Sequence, residues 1–162
     1  MKKKKKEIQL AVPFEAKERS LNLLVRRVAT AAQTGGEFAV VEMSGVKGTG
    51  ASPHAHGAEA EAFFILDGTF HVRVGDIDVR AHPGDFVYIP KNAPHTFTIE
   101  SEFGRMLCLI TPGGFEDLFV TLGSPTSGAY PPNADAFPPV PFTPEEAAQA
   151  AERFHLRFQE DW

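Results

Sequence analysis

Residues 53–68 read PHAHGAEAEAFFILDG. His54 and His56 are one residue apart, so on an extended segment both imidazoles project from the same face. Two glutamates follow, Glu59 and Glu61, and then an apolar run that stops at Gly68. Alternation along that run sends Glu61, Phe63 and Ile65 to one side. If that side faces an interior, an unpaired carboxylate there is costly, and a divalent cation removes the cost. Glu59 is nearer to the histidines, but the strand face favours Glu61, and Glu59 is read as an exposed turn carboxylate.

Working outward, residues 36–111 form a series of short apolar pieces: EFAVVEMSGV, AEAFFILDG, TFHVRVGD, IDVRAH, DFVYIP, HTFTIES and RMLCLIT. They are rich in Val, Ile, Phe and Thr, as strands prefer. Gly35-Gly36, Asp67-Gly68, Gly75-Asp76, Pro83-Gly84-Asp85 and Lys91-Asn92 separate them. Such regular punctuation predicts an all-β sandwich or barrel, and the lack of helical pattern between the pieces argues against a βαβ sheet. Upstream, LNLLVRRV is a further strand candidate.

In the same series, PGDFVYIPKNAPHTFTIE holds His95 at the start of a strand, with His95, Phe97 and Ile99 on one face. An antiparallel neighbour brings His95 across from His54 and His56. Three imidazoles and one carboxylate suit a single divalent transition metal: Fe, Mn, Ni or Co, with Zn and Cu also admitted.

These residues carry a resemblance. Gly48, His54, His56, Glu61 and Gly68 fall as G-x5-H-x-H-x4-E-x6-G, the first motif of the cupin family. Gly84, Pro90 and His95 fall on the second, G-x5-P-x-G-x2-H-x3-N, where Asn92 replaces the internal glycine and Ile99 the closing asparagine. Asn tolerates the left-handed backbone better than most residues. The chain therefore resembles the cupins, which implies a jelly-roll-like β-barrel and a metal held by His54, His56, Glu61 and His95. HAHGAEAEAFFILDGTFHVRVGD, PGDFVYIPKNAPHTF and TPGGFEDLFVTLG further resemble small single-domain cupins grouped with quercetin 2,3-dioxygenase. That likeness implies a metal-dependent, dioxygenase-type oxidoreductase acting on a small aromatic or polyphenolic enol, with Glu61 as both ligand and catalytic base. It also implies a homodimer. Metal-dependent isomerisation, cyclisation or monooxygenation would use the same ligands, and a non-catalytic small-molecule-binding cupin is the alternative class.

Phe63, Phe86, Tyr88, Phe97 and Met106 are candidates for the wall of a substrate pocket; equally, they fill the barrel, as interior residues of small barrels do. His71, His82 and His155 match no motif and are read as surface or satisfied core residues.

The remaining segments organise around this core. Residues 7–162 read as one cupin domain, with its core at about 36–111 and a helical and proline-rich extension over 112–162. Within the extension, Phe115, Leu118, Phe119 and Leu122 lie at helical spacing ahead of Gly123 and are expected to pack on the barrel mouth without gating it. The proline-rich stretch 124–142 excludes regular helix or central strand. FTPEEAAQAAERF then opens a helix, with Thr143 as cap, Pro144 at the first position and Glu146 completing a capping box. Its Ala147, Ala150, Ala151 and Phe154 are expected to pack on the barrel or on a second subunit.

The start, MKKKKKE, lacks the apolar segment of a signal peptide. Residues 1–6 read as a solvated, disordered basic tail. Without its five lysines the formal charge falls from −5 to −10, and so acidic a body argues against nucleic acid as a partner. The apolar runs are too short to cross a bilayer as a helix, so no membrane is expected. The single cysteine, Cys108, cannot form an intrachain disulfide; it reads as a small core residue in a reducing, cytoplasmic compartment.

Overall fold

The computed structural model describes residues 17–20, 22–126 and 143–159. The expected basic tail and most of the proline-rich stretch lie outside the described residues. Two antiparallel sheets face one another. One has seven strands: β1 (Lys17–Ser20), β2 (Leu23–Ala29), β3 (Ala39–Val46), β5 (Ala60–Asp67), β8 (Phe86–Ile89), β10 (Phe103–Thr111) and β11 (Ser124–Thr126). Their order is β11-β1-β2-β3-β10-β5-β8. The other has five: β4 (Gly50–His56), β6 (Phe70–Val74), β7 (Ile77–Ala81), β9 (His95–Ile99) and β12 (Leu156–Phe158), ordered β12-β4-β9-β6-β7. The fold is all-β with helical additions, as the strand spacing predicted, and its two facing antiparallel sheets agree with the jelly-roll-like barrel that the resemblance implied.

Each apolar piece of the middle zone became a strand, and the two inner faces supply the core. Phe63 and Ile65 on β5, Met106, Cys108 and Ile110 on β10, and Val41 and Met43 on β3 pack against Phe70 and Val72 on β6 and Phe97 and Ile99 on β9. Gly68 ends β5 with φ +78°, and a Cβ there would lie 2.2 Å from the Phe103 carbonyl oxygen, so only glycine fits this turn. Pro125 falls on β11, an edge strand, where a missing N–H is tolerated.

Three short helices complete the described chain: α1 (Ala31–Thr34), α2 (Asp117–Leu122) and α3 (Pro144–Arg153). The capping box at α3 forms as the sequence predicted: the Glu146 N–H donates to Thr143 Oγ1, and the Thr143 N–H to Glu146 Oε2. Ala150 and Phe154 are buried in the core of the same chain, which places α3 on its own barrel. The sequence reading missed β1 and β12. The second matters most, because β12 pairs with β4 and sets Leu156 opposite His56 and Phe158 opposite His54.

Candidate metal centre

β4 carries His54 and His56 inward from its end. The pairing of β4 with β9 is irregular between Ala51 and His54, beyond which His54 sits directly opposite His95. Such bulges re-aim side chains and recur beside functional sites. β5 brings in Glu61 from the facing sheet. Each of the four offers one donor atom, and these atoms all lie within 4.8 Å of one another. His54 Nε2 is 3.1 Å from His56 Nε2, and Glu61 Oε2 is 3.4 Å from His56 Nε2 and 3.1 Å from His95 Nε2. His56, Glu61 and His95 are buried; His54 is partly exposed.

The hydrogen bonds behind the rings set their tautomers. His54 Nδ1 donates to the Ser52 carbonyl at 2.7 Å, and His95 Nδ1 to the Ala93 carbonyl at 3.0 Å. With Nδ1 protonated, Nε2 of each neutral ring presents a lone pair to the centre. His54 and His95 thus each turn an acceptor toward the centre, and His95 Nε2 meets the Glu61 carboxylate oxygen, also an acceptor, at 3.1 Å. A cation or a proton relieves that opposition. Three neutral imidazoles and one carboxylate are the donor chemistry a divalent transition metal takes, so the residues fit a metal.

The electrostatics agree with this. Burial, helped by the neighbouring His95 and His56 rings, lowers the His54 imidazole from 6.5 to about 3, so it is neutral at pH 7. Burial pushes the Glu61 carboxyl up, but His56 and His95, where they carry a proton toward it, outweigh burial and hold Glu61 well below the ordinary carboxylate range. Its second oxygen, Oε1, accepts from the Cys108 thiol at 3.6 Å. Burial and the Glu61 charge both raise the thiol well above its usual value, so it stays protonated as a donor. Cys108 is a core residue as expected, with a contact to the site that the sequence did not reveal.

A cavity of about 210 Å³ opens beside the cluster. His54 and Glu61 reach its wall, and His56 and His95 lie behind it. Phe63 and Phe97 line it from below. Phe115, Leu118, Phe119 and Leu122 of the α2 region roof it, together with Ala147 and Ala150 of α3 and Leu156 and Phe158 of β12. The Phe115 ring packs edge-on to His56, 4.2 Å between centroids. The α2 region thus packs on the mouth as the sequence suggested. None of the lining residues is Lys or Arg.

Three of the sequence-based wall candidates lie elsewhere. Phe86 and Tyr88 are 62% and 60% exposed. Val87 and Ile89 take the inward positions of β8, opposite Phe63 and Glu61, which turns Phe86 and Tyr88 to the outer face. Met106 is fully buried in the core between Met43 and Ile65 and does not border the cavity. Glu59 also differs from its reading as an exposed carboxylate: its side chain is only 12% exposed, 4.0 Å from His56 Nδ1. Burial raises its carboxyl above the ordinary value. His71 pairs with Asp78, and His82 and His155 are exposed outside the cluster. Asn92 has φ 64°, the left-handed conformation the motif glycine would supply. Its backbone N–H donates to the His56 carbonyl, as a glycine's could, and its side-chain oxygen, which glycine lacks, accepts from Arg157 on β12.

Residues 41–111 match the family model described as "Cupin domain". This chain carries a cupin domain. Around that domain the chain is similar to "Quercetin 2,3-dioxygenase" of Bacillus subtilis (strain 168), 35% identical over 105 residues, which cover 65% of this chain and 31% of that protein. It is also similar to "Quercetin 2,3-dioxygenase" of Aspergillus japonicus, 36% identical over 80 residues, 46% of this chain and 23% of that protein. The chain thus spans less than a third of the length of these relatives. Among solved structures, KdgF from Halomonas sp. superposes with a TM-score of 0.56 at 18% identity, covering 62% of this chain and 90% of that one. The likeness supports the fold. Among the described residues no helix is long and apolar enough to cross a membrane.

Proposed function

We propose that this cupin is a metal-dependent oxygenase of the quercetin 2,3-dioxygenase type, acting on a small, uncharged aromatic or polyphenolic enol. The observation that carries the reading is the cavity: Glu61 and His54 border a space walled by Phe63, Phe97, Phe115 and Phe119 with no cationic side chain in the lining. An anionic substrate would find no Lys or Arg there to pair with, and burying it unpaired is costly. A flat aromatic one replaces water against the phenylalanine faces and gains from edge and stacking geometry.

His54, His56, Glu61 and His95 would hold one divalent transition metal. When bound, the metal supplies Lewis acidity and, if redox-active, couples an enolic substrate to O2. The remaining work belongs to the protein. Phe63 and Phe97 orient the ring system from below, and Phe115, Leu118 and Phe119 exclude water from above. Glu61 takes the substrate hydroxyl proton at Oε2, the oxygen that faces the imidazoles. Cys108 holds the other oxygen and so fixes which one is offered. The two curated relatives support the reaction class; the apolar wall supports the substrate class.

The test is direct. Metal-replete protein is expected to consume O2 with members of a flavonol and polyphenol panel and not with aliphatic dicarboxylates. Full stoichiometric metal in His54→Ala would overturn the ligand set. No O2 uptake across the panel would overturn the oxygenase reading.

The assembly is proposed to be a homodimer through the outer face of the seven-stranded sheet. Phe64, Phe86, Tyr88 and Leu109 are exposed there on adjacent strands, β5, β8 and β10. A contiguous apolar patch of this kind is unusual on a monomer's surface. Light scattering on eluting protein is expected to give twice the chain mass, and Tyr88→Arg with Phe86→Glu to give the monomer.

A further inference from the structure

The geometry points to Glu59 as the positioning residue of His56: its carboxylate accepts the His56 Nδ1–H and so fixes the tautomer that presents Nε2 to the centre. The inference rests on the metal-centre reading above.

The three imidazoles are not supported alike. Nδ1 of His54 and of His95 each donates to the carbonyl of the residue two positions before it, Ser52 and Ala93. His56 has no such bond. Its Nδ1 is buried without a hydrogen-bond partner. One other buried atom beside it is in the same condition, Glu59 Oε2, and the two are 4.0 Å apart. Buried polar atoms almost always find partners, and an unpaired one costs about 1–3 kcal/mol. A donor and an acceptor that both lack partners and face each other are a hydrogen bond about 1 Å short of closure.

The surroundings favour that closure. The Glu59 side chain is mostly shielded from water. The segment between the two residues is Gly57-Ala58, whose Gly57 N–H is tied to the His155 carbonyl on the link from α3 to β12. His155 also lies within electrostatic reach of Glu59. The C-terminal segment thus holds the turn that presents the carboxylate. A histidine whose far nitrogen is bound by a carboxylate is a recurrent support for metal ligation, and losing it typically weakens metal binding by roughly 10- to 100-fold.

Two variants and two readouts test this in the full chain. Glu59→Ala removes the acceptor, while Glu59→Gln keeps an amide oxygen in the same place. Zinc affinity, measured by competition with a chromogenic chelator, is expected to fall by roughly 10- to 100-fold in Glu59→Ala. It is expected to stay within about threefold of wild type in Glu59→Gln, since a neutral acceptor still fills the role. In parallel, nitrogen-15 NMR of labelled histidine reads the His56 tautomer in metal-free protein. Wild type and Glu59→Gln are expected to show Nδ1–H, and Glu59→Ala a mixture. Unchanged affinity and tautomer in Glu59→Ala overturn the assignment. So does a Glu59→Gln variant as impaired as the alanine one, which would make the effect one of charge rather than of this hydrogen bond. If wild type binds no stoichiometric zinc, the metal-centre reading fails by itself, while the tautomer measurement still decides the role of Glu59.

Discussion

Replacing Glu61 with Gln changes little but charge, and the metal-dependent part of stability shows what that charge is for. Oε2 is the one anionic donor among the four, 3.1 Å from His95 Nε2 and 3.4 Å from His56 Nε2. Outer partners of metal ligands are worth roughly 10- to 100-fold in affinity, so loss of an anionic ligand is expected to cost at least about 100-fold. At a metal concentration about 1,000 times the wild-type Kd, binding stabilises the fold by about 4.1 kcal/mol; the variant, then at about 10 times its own Kd, keeps about 1.4 kcal/mol. For a chain of this size roughly 2–4 °C of Tm accompanies each kcal/mol, so metal should raise Tm by about 8–16 °C in wild type and about 3–6 °C in Glu61→Gln. Metal-free Glu61→Gln will differ from metal-free wild type as well, because the carboxylate loses charge-assisted bonds and sheds a burial penalty. That difference cancels when each protein is its own reference. Calorimetric scans with and without metal make the measurement, and equal metal-induced shifts in the two proteins would refute Glu61 as a ligand.

The other predictions concern the surroundings. Cys108→Ala should destabilise the metal-free protein by about 1–3 kcal/mol in urea titration, because Glu61 Oε1 loses its donor inside the core; Cys108→Ser, with a hydroxyl in place of the thiol, should recover part of it. Glu116→Ala should cost about 2–4 kcal/mol by the same assay without altering metal affinity, since the buried Glu116 carboxylate accepts from the Ala31 and Gly114 N–H groups at 2.6 Å each and is not among the four residues of the centre. Metal-free protein should also lose stability as pH falls. The folded state holds His54 at about 3 against 6.5 unfolded, so between those values the unfolded chain binds the extra proton. The contribution is fully present above pH 6.5 and is lost toward pH 3, at up to about 1.4 kcal/mol per pH unit; urea midpoints that are flat from pH 7 to 4 would contradict it.

The parts of this structure that were legible in the sequence are those fixed by short-range geometry. Spacing alone put His54 and His56 on one face and Glu61 on the face of Phe63, and the turn residues marked the strand ends from Gly35 to Thr111. Asn92 could be matched to a motif glycine because the left-handed backbone is a local property. What failed was side selection and long-range pairing. Phe86 and Tyr88 alternate with Val87 and Ile89, which are equally apolar, so period-2 reasoning groups them correctly and cannot say which pair turns inward. The register of β8 against β5 decides that, and no local signal carries it. β12 was missed for a related reason: Leu156–Phe158 is three residues long and gains strand character from β4, one hundred residues earlier. That pairing, with Arg157 on Asn92 and the His155 carbonyl on the Gly57 N–H, fixes the turn leading to Glu59, which the sequence places in the open.

The same geometry separates a metal centre from an ordinary buried polar cluster. A structural cluster is satisfied when each donor meets an acceptor. Here the rings of His54 and His95 spend their protons outward, on Ser52 and Ala93, and turn acceptors to the inside, where His95 Nε2 meets a carboxylate oxygen at 3.1 Å. His54 stays neutral down to about pH 3, so its Nε2 remains an acceptor turned to the centre. One divalent cation would be met by all four donors at once. The Cys108 donor behind Glu61 points the same way, since it satisfies the carboxylate oxygen that faces away from the imidazoles and leaves Oε2 for the centre. The arrangement is costly without a cation, and a fold retains such a cost most readily where a site needs its donors already aimed.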